Sequence, residues 1–169
     1  MDFKISPENT CCFTGYRPEK LPWRYDEEDP RCRLLKIKLY DVVDALYFSG
    51  IRHYICGMAK GCDMFFAEAV LKLKQEHDDV TLEAAIPCRT QTMRWDKSDV
   101  GRYKKLMKQC DYTTFLQNEY TRDCMFKRNR YMVDNSAVVV AVYDGKSGGT
   151  AFTVRYADRN NKEIIEIHP

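Results

Sequence analysis

The chain has 169 residues, a length typical of one domain that buries about two thirds of the surface of its unfolded chain. Its 27 basic and 25 acidic residues nearly cancel, so no overall field attracts nucleic acid or an anionic membrane. No apolar run approaches the roughly 20 residues that a membrane helix needs. We therefore expect a single domain over residues 1–169, with neither DNA nor a membrane as its partner.

Eight cysteines and three histidines could in principle cross-link the chain or bind a metal. The cysteines form no CxxC pair and no secretory signal pattern precedes them, which is typical of free thiols in a reducing cytoplasm. His53, His77 and His168 show no metal-ligand spacing with one another or with the cysteines. The sequence predicts a cytoplasmic protein with no metal site, and it identifies no cofactor.

The first half of the chain alternates strand-like and helix-like segments. The run TCCFT at 10–14 predicts a buried strand, and the Asp-Pro pair at 29–30 opens an apolar-periodic helix that stops at Gly50. The runs 53–56 and 80–86 predict the second and third strands, and an apolar helix lies between them.

The second half continues this alternation after a long polar connection over residues 87–99, and long connections are often functional. The predicted elements are a helix at 102–109, a strand at 112–116, a helix at 123–135, a strand at 137–142, a helix at 151–159 and an edge strand at 163–167. Strands that alternate with helices and include near-continuous apolar runs are typical of parallel sheets covered on both faces. We predict an α/β fold with a doubly wound, mostly parallel sheet and helices on both faces.

Glycine-containing loops follow three of the predicted strands. Because the carboxyl ends of parallel strands lie along one edge of such a sheet, we expect these loops to face one crevice. A glycine-rich turn that opens a helix aims free N–H groups and the positive dipole end at one point, where a phosphate can bind. The loops carry Gly15 and Arg17 after the first strand, Gly57, Gly61 and Asp63 after the second, and Gly148, Gly149 and Thr150 after the fifth.

Each loop also has a purely structural interpretation. Gly57 and Gly61 are explained equally well by turn chemistry, with Asp63 as a helix N-cap. Thr150 either donates its hydroxyl to a phosphate or caps its helix. Arg17 is predicted to contact a phosphate. The loops contain neither GxGxxG nor the GK[ST] ending of a Walker loop, which argues against ATP hydrolysis of the P-loop type.

Two further groups of residues are candidates for the crevice. Gln91 and Trp95 lie four residues apart and could form one helical turn that covers the site. Trp95 is interpreted either as a stacking residue for a base or as a packing anchor. Lys127, Arg128 and Arg130 form a basic cluster that cannot share one helix face, so we expect one of them to point into the crevice.

Four segments of the chain carry a family resemblance. They are TGYRPEKL at 14–21, GMAKGCDMFFAE at 57–68, the Pro87, Gln91 and Trp95 pattern, and RNRYMVDNSAVVVAVYDGKSGGT at 128–150. Together they resemble the YpsA-type branch of the SLOG superfamily, which also includes the LOG phosphoribohydrolases and the DprA (Smf) DNA-processing proteins. The resemblance implies a Rossmann-like sheet that binds a nucleotide or nucleotide-derived ligand at these strand ends. It also makes a homodimer and a protein partner further expectations.

The LOG motif resembles RK…PGGxGTxxE, and this sequence matches it in part. Arg128 matches the arginine, whereas residues 151–155 (AFTVR) lack the catalytic glutamate. Cleavage of an N-glycosidic bond needs a carboxylate, which Asp63 or Asp144 would have to supply.

We therefore expect a nucleotide-binding sensor or regulator, and the sequence leaves open whether it is also an enzyme. In it Arg17 and Arg128 neutralise phosphate, Asp63 accepts a hydrogen bond from a ribose hydroxyl, and Trp95 stacks on the base. One alternative is a LOG-like hydrolase that uses Asp63 and Arg128. The other is a scaffold that binds a protein partner or DNA.

Overall fold

The structure is a computed structural model, and it describes residues 4–169. Its strands are β1 (Thr10–Gly15), β2 (His53–Cys56), β3 (Thr81–Ile86), β4 (Tyr112–Phe115), β5 (Val138–Val142) and β6 (Glu163–Ile167). Its α-helices are α1 (Pro30–Phe48), α2 (Cys62–Glu76), α3 (Lys97–Met107), α4 (Cys124–Asp134) and α5 (Gly149–Arg159). The six strands form one sheet in the order β4-β3-β2-β1-β5-β6, and all pairings are parallel.

Helices cover both faces of the sheet, as the sequence predicts. The larger core joins α1, α2 and α3 to one face and contains Phe13 and Phe66, whose rings stack with centroids 4.6 Å apart. The smaller core joins α4 and α5 to the other face and contains Cys12 and Val139. The strand β5 is buried throughout, since both of its faces are covered, which explains its unbroken apolar sequence. The doubly wound, Rossmann-like α/β fold is confirmed.

The strand order places a topological switch point between β1 and β5. From β1 the chain winds outward through β2 and β3 to the edge strand β4, and it then returns through α4 to β5 on the other side of β1. The connections that leave β1 and β5 therefore lead to helices on opposite faces. Such a divergence opens a crevice at the carboxyl ends of the two strands, where doubly wound proteins bind their ligands.

Two helices begin earlier than the sequence pattern predicts. The helix α5 starts at Gly149 rather than at residue 151, so the glycine pair belongs to the helix terminus itself. The helix α3 starts at Lys97 rather than at residue 102, because the carboxylate of Asp96 accepts a hydrogen bond from the Asp99 N–H at 2.9 Å. The polar first turn of α3 concealed this N-cap within the long connection.

The structure adds three observations on cross-links, metals and membranes. All eight cysteines are free thiols, and all except Cys110 are buried. Within residues 4–169, no group of three or more histidine, cysteine or acidic side chains is arranged to hold a metal ion. In the same part of the chain, no helix has both the length and the apolar content needed to cross a bilayer.

Candidate ligand-binding crevice

A cavity of about 400 Å³ opens at the carboxyl ends of β1 and β5. Its walls come from the end of β1 and the loop that follows it, the start of α2, one side of α4 and the first turn of α5. Six of the residues proposed from the sequence line this cavity, namely Gly15, Arg17, Asp63, Arg128, Gly149 and Thr150. Gly57, Gly61, Gly148, Gln91 and Trp95 lie outside the lining.

Arg128 is a buried cation at the wall of the crevice. Its side chain is only 5% exposed, and its Nε donates a hydrogen bond to Asn129 Oδ1 at 2.9 Å. Among residues 4–169, no carboxylate oxygen lies within 4.0 Å of its guanidinium. Burial lowers the pKa of Arg128, but an arginine stays protonated at physiological pH. The charge of Asp63 offsets part of the cost of burying this cation, and a bound anion would offset more of it.

Gly57 leaves room for this guanidinium. Its carbonyl oxygen accepts hydrogen bonds from Arg128 Nη1 at 2.7 Å and from Gln91 Nε2 at 3.1 Å. A Cβ at Gly57 would lie 2.6 Å from Arg128 Cζ. The missing side chain therefore admits Arg128, and Gly57 shapes the site through that arginine rather than by letting a ligand approach its own backbone.

Asp63 is a buried carboxylate in the first turn of α2, with 5% of its surface exposed. Its Oδ2 accepts a hydrogen bond from the Ala59 N–H at 2.9 Å. Burial raises the pKa of Asp63, and the charge of Arg128 and the Ala59 N–H offset only part of that rise. The N-cap of α2 is Gly61 rather than Asp63, which corrects the capping interpretation made from the sequence.

Two glycines let the loops after β1 and β2 approach each other. Gly61 has a φ of +85°, in the left-handed region that favours glycine, and a Cβ there would lie 2.9 Å from the Tyr16 carbonyl oxygen. The Cys62 N–H donates a hydrogen bond to the same oxygen at 3.2 Å. A Cβ at Gly15 would in turn lie 2.8 Å from Cys62 Cβ. This close approach positions Gly15 and Tyr16, which line the crevice.

The N-terminus of α5 is the phosphate-binding candidate. Gly148 is its N-cap, with a φ of +148° and no side-chain cap, so the first N–H groups of the helix keep their hydrogen-bonding capacity. No heavy atom of a neighbouring segment lies within 4 Å of a Cβ built at Gly149. Thr150 is 7% exposed, and within residues 4–169 its hydroxyl has no hydrogen-bond partner.

Lys20 also reaches this helix terminus. A Cβ at Gly148 would collide with Lys20 Nζ, and the same ammonium lies 5.2 Å from the centroid of the Tyr16 ring. The Tyr16 hydroxyl donates a hydrogen bond to Asp144, which lowers the pKa of that carboxyl and joins the loops after β1 and β5. Lys20 belongs to the segment that follows β1, and its approach to Gly148, which lies 128 positions further along the chain, depends on the fold.

The wall opposite the β1 loop comes from α4. Met125 Sδ lies 3.9 Å from Arg17 Nη2 and 3.7 Å from Arg128 Nη2, so the two guanidinium groups converge on one side chain. The neighbouring Phe126 is 40% exposed, and its ring packs edge-on against Phe152 with centroids 4.5 Å apart. Sequence reasoning missed both residues of this wall. The signal for Met125 was its position three residues before Arg128, on the same side of a helix.

The remaining members of the basic cluster point away from the crevice. Lys127 Nζ lies 3.5 Å from Asp123 Oδ2 at the surface, and Arg130 packs over the ring of Phe152. Only Arg128 of the three lines the cavity, in agreement with the expectation that one member would point inward.

Gln91 and Trp95 lie behind the crevice. Gln91 contacts the Gly57 carbonyl, whereas Trp95 packs edge-on against Tyr103 with ring centroids 5.6 Å apart and borders the larger core. This packing agrees with the interpretation of Trp95 as a packing anchor. The segment forms consecutive tight turns rather than one helical turn, with hydrogen bonds from Gln91 N to Cys88 O and from Trp95 N to Thr92 O.

Two solved structures share this fold. A structure of DNA processing protein A from Helicobacter pylori, whose title concerns its single-stranded DNA binding mode, superposes with a TM-score of 0.65 at 15% identity. The superposed region covers 95% of this chain but only 65% of the Helicobacter pylori protein. DNA processing protein A from Streptococcus pneumoniae also gives 0.65 at 14% identity, with 93% of this chain and 49% of that one covered. At these identities the likeness concerns the fold alone.

Sequence comparison identifies nearer relatives. The "Uncharacterized SPbeta prophage-derived protein YoqJ" of Bacillus subtilis is 28% identical over 157 residues, which cover 84% of this chain and 92% of that protein. A UPF0398 protein of Staphylococcus epidermidis is 24% identical over 159 residues, which cover 90% and 84%. The YpsA family model, which carries the description YspA SLOG family, matches residues 11–168. The chain therefore belongs to the YpsA family of SLOG proteins.

Proposed function

We propose that the chain is a cytoplasmic sensor or regulator that binds a nucleotide or a nucleotide-derived ligand through its phosphate group. One observation carries this proposal: Arg128 is buried at the cavity wall without a carboxylate partner among the described residues. Its Nη1 and Nε are held by Gly57 and Asn129, which leaves Nη2 directed to the side where Arg17 also converges. A guanidinium held in this way is a preorganised anion site.

The rest of the positive charge lies where a phosphate would bind. Arg17 and Lys20 line the cavity together with Gly149 and Thr150 of the uncapped helix terminus. Backbone N–H groups and a helix dipole at one such point favour an anion. The volume of about 400 Å³ lies in the lower part of the range of roughly 300–1,000 Å³ for small-molecule sites, which favours a mononucleotide over a dinucleotide.

The position of Asp63 indicates how the ligand would be oriented in the cavity. Its carboxylate lines the same cavity and would repel a phosphate, so the phosphate belongs at α5 and a hydroxyl-bearing sugar belongs near Asp63. Asp63 Oδ2 already accepts the Ala59 N–H, and its remaining acceptor capacity suits a ribose hydroxyl. A homodimer and a protein partner remain predictions of the family resemblance.

Calorimetry and thermal denaturation against nucleoside monophosphates and inorganic phosphate test the proposal. A ligand at 100 times its dissociation constant should stabilise the wild-type protein by about 2.7 kcal/mol. Arg128→Gln should lose this stabilisation, whereas the matched variant Lys127→Gln, on the same helix but outside the cavity, should retain it. Stabilisation by none of these compounds, or equal binding by Arg128→Gln, would contradict the proposal.

Hydrolysis of a nucleoside monophosphate is a second candidate, and the raised pKa of buried Asp63 favours it. The residues that follow Thr150 lack the glutamate of the LOG motif, so Asp63 would have to act as the carboxylate. Incubation with AMP and chromatography for free adenine provide the assay. Turnover that survives in Asp63→Asn would remove Asp63 from any catalytic role.

Single-stranded DNA is a third candidate because a solved protein with this fold has a DNA-binding mode in its title. The net charge of only +2 gives little support for it. If DNA binds at the crevice, the logarithm of its affinity should fall steeply with the logarithm of salt concentration. Arg17→Gln and Lys20→Gln should then reduce that slope, whereas Lys104→Gln on α3 should not.

A further inference from the structure

Phe126 differs from the other aromatic residues of the cavity in having an open ring surface. Phe13 and Tyr16 also line the cavity, but they are 0% and 4% exposed. Phe126 is 40% exposed, and it lines the cavity together with the cationic side chains of Arg17 and Arg128. An apolar ring left open at the edge of such a site provides a surface on which a planar group can stack.

The position of Phe126 is fixed from behind. Its ring packs edge-on against Phe152, and Arg130 lies over the Phe152 ring at 5.7 Å from the centroid. This packing holds the Phe126 ring without covering it. Met125 lies beside it, and its thioether is placed by contacts with the guanidinium groups of Arg17 and Arg128. The wall of α4 thus combines an open aromatic ring with a polarisable sulfur.

This wall and the helix terminus that would hold the phosphate line the same cavity. Phe152 lies within the first turns of α5, which begins at Gly149, and therefore the Phe126–Phe152 pair adjoins the helix terminus that would hold the phosphate. Asp63 lines the same cavity and would face the sugar. Trp95, by contrast, is packed against Tyr103 outside the cavity lining.

We propose that Phe126, with Met125 beside it, is the stacking surface for the base of a bound mononucleotide. This inference rests on the proposed function, and it names the residues that would hold the base of the nucleotide. Neither a phenyl ring nor a thioether reads the hydrogen-bonding edge of a base, so stacking on this wall is tolerant of base identity.

Calorimetry with AMP and with ribose 5-phosphate tests the stacking surface. The wild-type protein should bind AMP about 5- to 150-fold more tightly than ribose 5-phosphate, the factor expected from stacking one base on an aromatic side chain. In Phe126→Ala the affinity for AMP should fall to that for ribose 5-phosphate, whose own affinity should not change. Trp95→Phe, the matched control, should keep the wild-type preference. Thermal denaturation verifies that each variant is folded, and Phe126→Leu, which keeps apolar contact with Phe152, should also lose the preference for AMP.

The outcomes separate this inference from the function on which it rests. Equal binding of AMP and ribose 5-phosphate by the wild-type protein would overturn the stacking surface and leave phosphate binding intact. An equal loss of both affinities in Phe126→Ala would also overturn it, because the residue would then act on the shape of the whole site. Binding of neither compound would overturn the proposed function and this inference together.

Discussion

The carbonyl oxygen of Gly57 accepts a hydrogen bond from Arg128 Nη1 at 2.7 Å, and the guanidinium occupies the space that a side chain at Gly57 would fill. The loop after β2 and the helix α4 are thereby joined at the edge of the sheet. This contact holds one end of the guanidinium in the protein and leaves Nη2 on the side of the cavity. The glycine therefore determines the direction of the charge that would meet a ligand.

Gly57→Ala should displace Arg128, because the added Cβ would lie 2.6 Å from its Cζ. Overpacking of this kind costs about 1–3 kcal/mol, measured as the free energy of unfolding in urea, and phosphate binding should be lost as well. Gly101→Ala is the matched control, since a Cβ there has no heavy atom within 4 Å. In the interior of α3 it should increase the free energy of unfolding by about 0.5–1 kcal/mol. Wild-type stability and binding in Gly57→Ala would contradict this account of the contact.

Arg128→Met should separate stability from binding. The variant removes a buried cation that has no carboxylate within 4.0 Å among the described residues, and Gln91 Nε2 continues to donate to the Gly57 oxygen. The free energy of unfolding should change by no more than about 1–2 kcal/mol, because removing the desolvation cost of the buried cation offsets the lost hydrogen bonds and the lost attraction to Asp63. Calorimetry should detect no nucleotide binding. A large loss of stability would show that the guanidinium is a structural support rather than a ligand-binding group.

Asp63→Asn should be more stable than the wild type at neutral pH. Burial raises the pKa of Asp63 in the folded protein. The contribution of this carboxyl to folding stability is therefore complete only below its pKa of about 4 in the unfolded chain, and it is lost as the pH rises through the higher pKa of the folded state. Asparagine keeps an oxygen for the Ala59 N–H and carries no charge. At pH 7 the free energy of unfolding in urea should therefore be higher for Asp63→Asn than for the wild type. This difference should shrink as the pH is lowered towards 3.5. An advantage that grows in acid would contradict the direction of the shift.

Glu83→Gln should show the opposite pH dependence. Burial by itself raises the pKa of Glu83, but hydrogen bonds from His53, Tyr131 and Thr114 at 2.7, 2.6 and 2.8 Å outweigh it and lower the pKa. The contribution of Glu83 to folding stability is then present above its pKa of about 4.3 in the unfolded chain. It is lost as the pH falls through the lower pKa of the folded state.

The same unfolding experiment measures this contribution. Glu83→Gln should lose about 1–3 kcal/mol at pH 7, as expected for a disrupted buried network, and the loss should diminish in acid. Because Glu83 lies outside the cavity lining, nucleotide affinity should remain at the wild-type value. A change in nucleotide affinity in Glu83→Gln would show that the hydrogen-bond network of Glu83 affects the crevice.

The local sequence was sufficient for the elements and for part of the site. Apolar runs such as 138–142 and the N-cap before Pro30 depend on interactions within a few residues, so strands and helices were predicted with small errors at their ends. The glycine pair at the start of α5 could be recognised from the sequence as a candidate phosphate-binding turn for the same reason. Arg17 and Asp63 were singled out because each follows a predicted strand, and parallel strand ends meet at one edge.

Tertiary packing decided the remaining features. Trp95 was assigned to the crevice from its spacing to Gln91, but its packing against Tyr103 keeps it outside the lining. Phe126 attracted no functional prediction, because its position at the cavity depends on how α4 packs against the rest of the fold. No local pattern encodes such packing.

The sequence by itself determined an alternating α/β chain with glycine loops at the strand ends, since hydrophobic periodicity and capping are local properties. Only the tertiary structure decided that Gly57 makes room for Arg128 and that Phe126, rather than Trp95, borders the cavity. The physical reason is that these relationships join segments distant in the chain, and the order of strands and the faces on which helices pack bring them together.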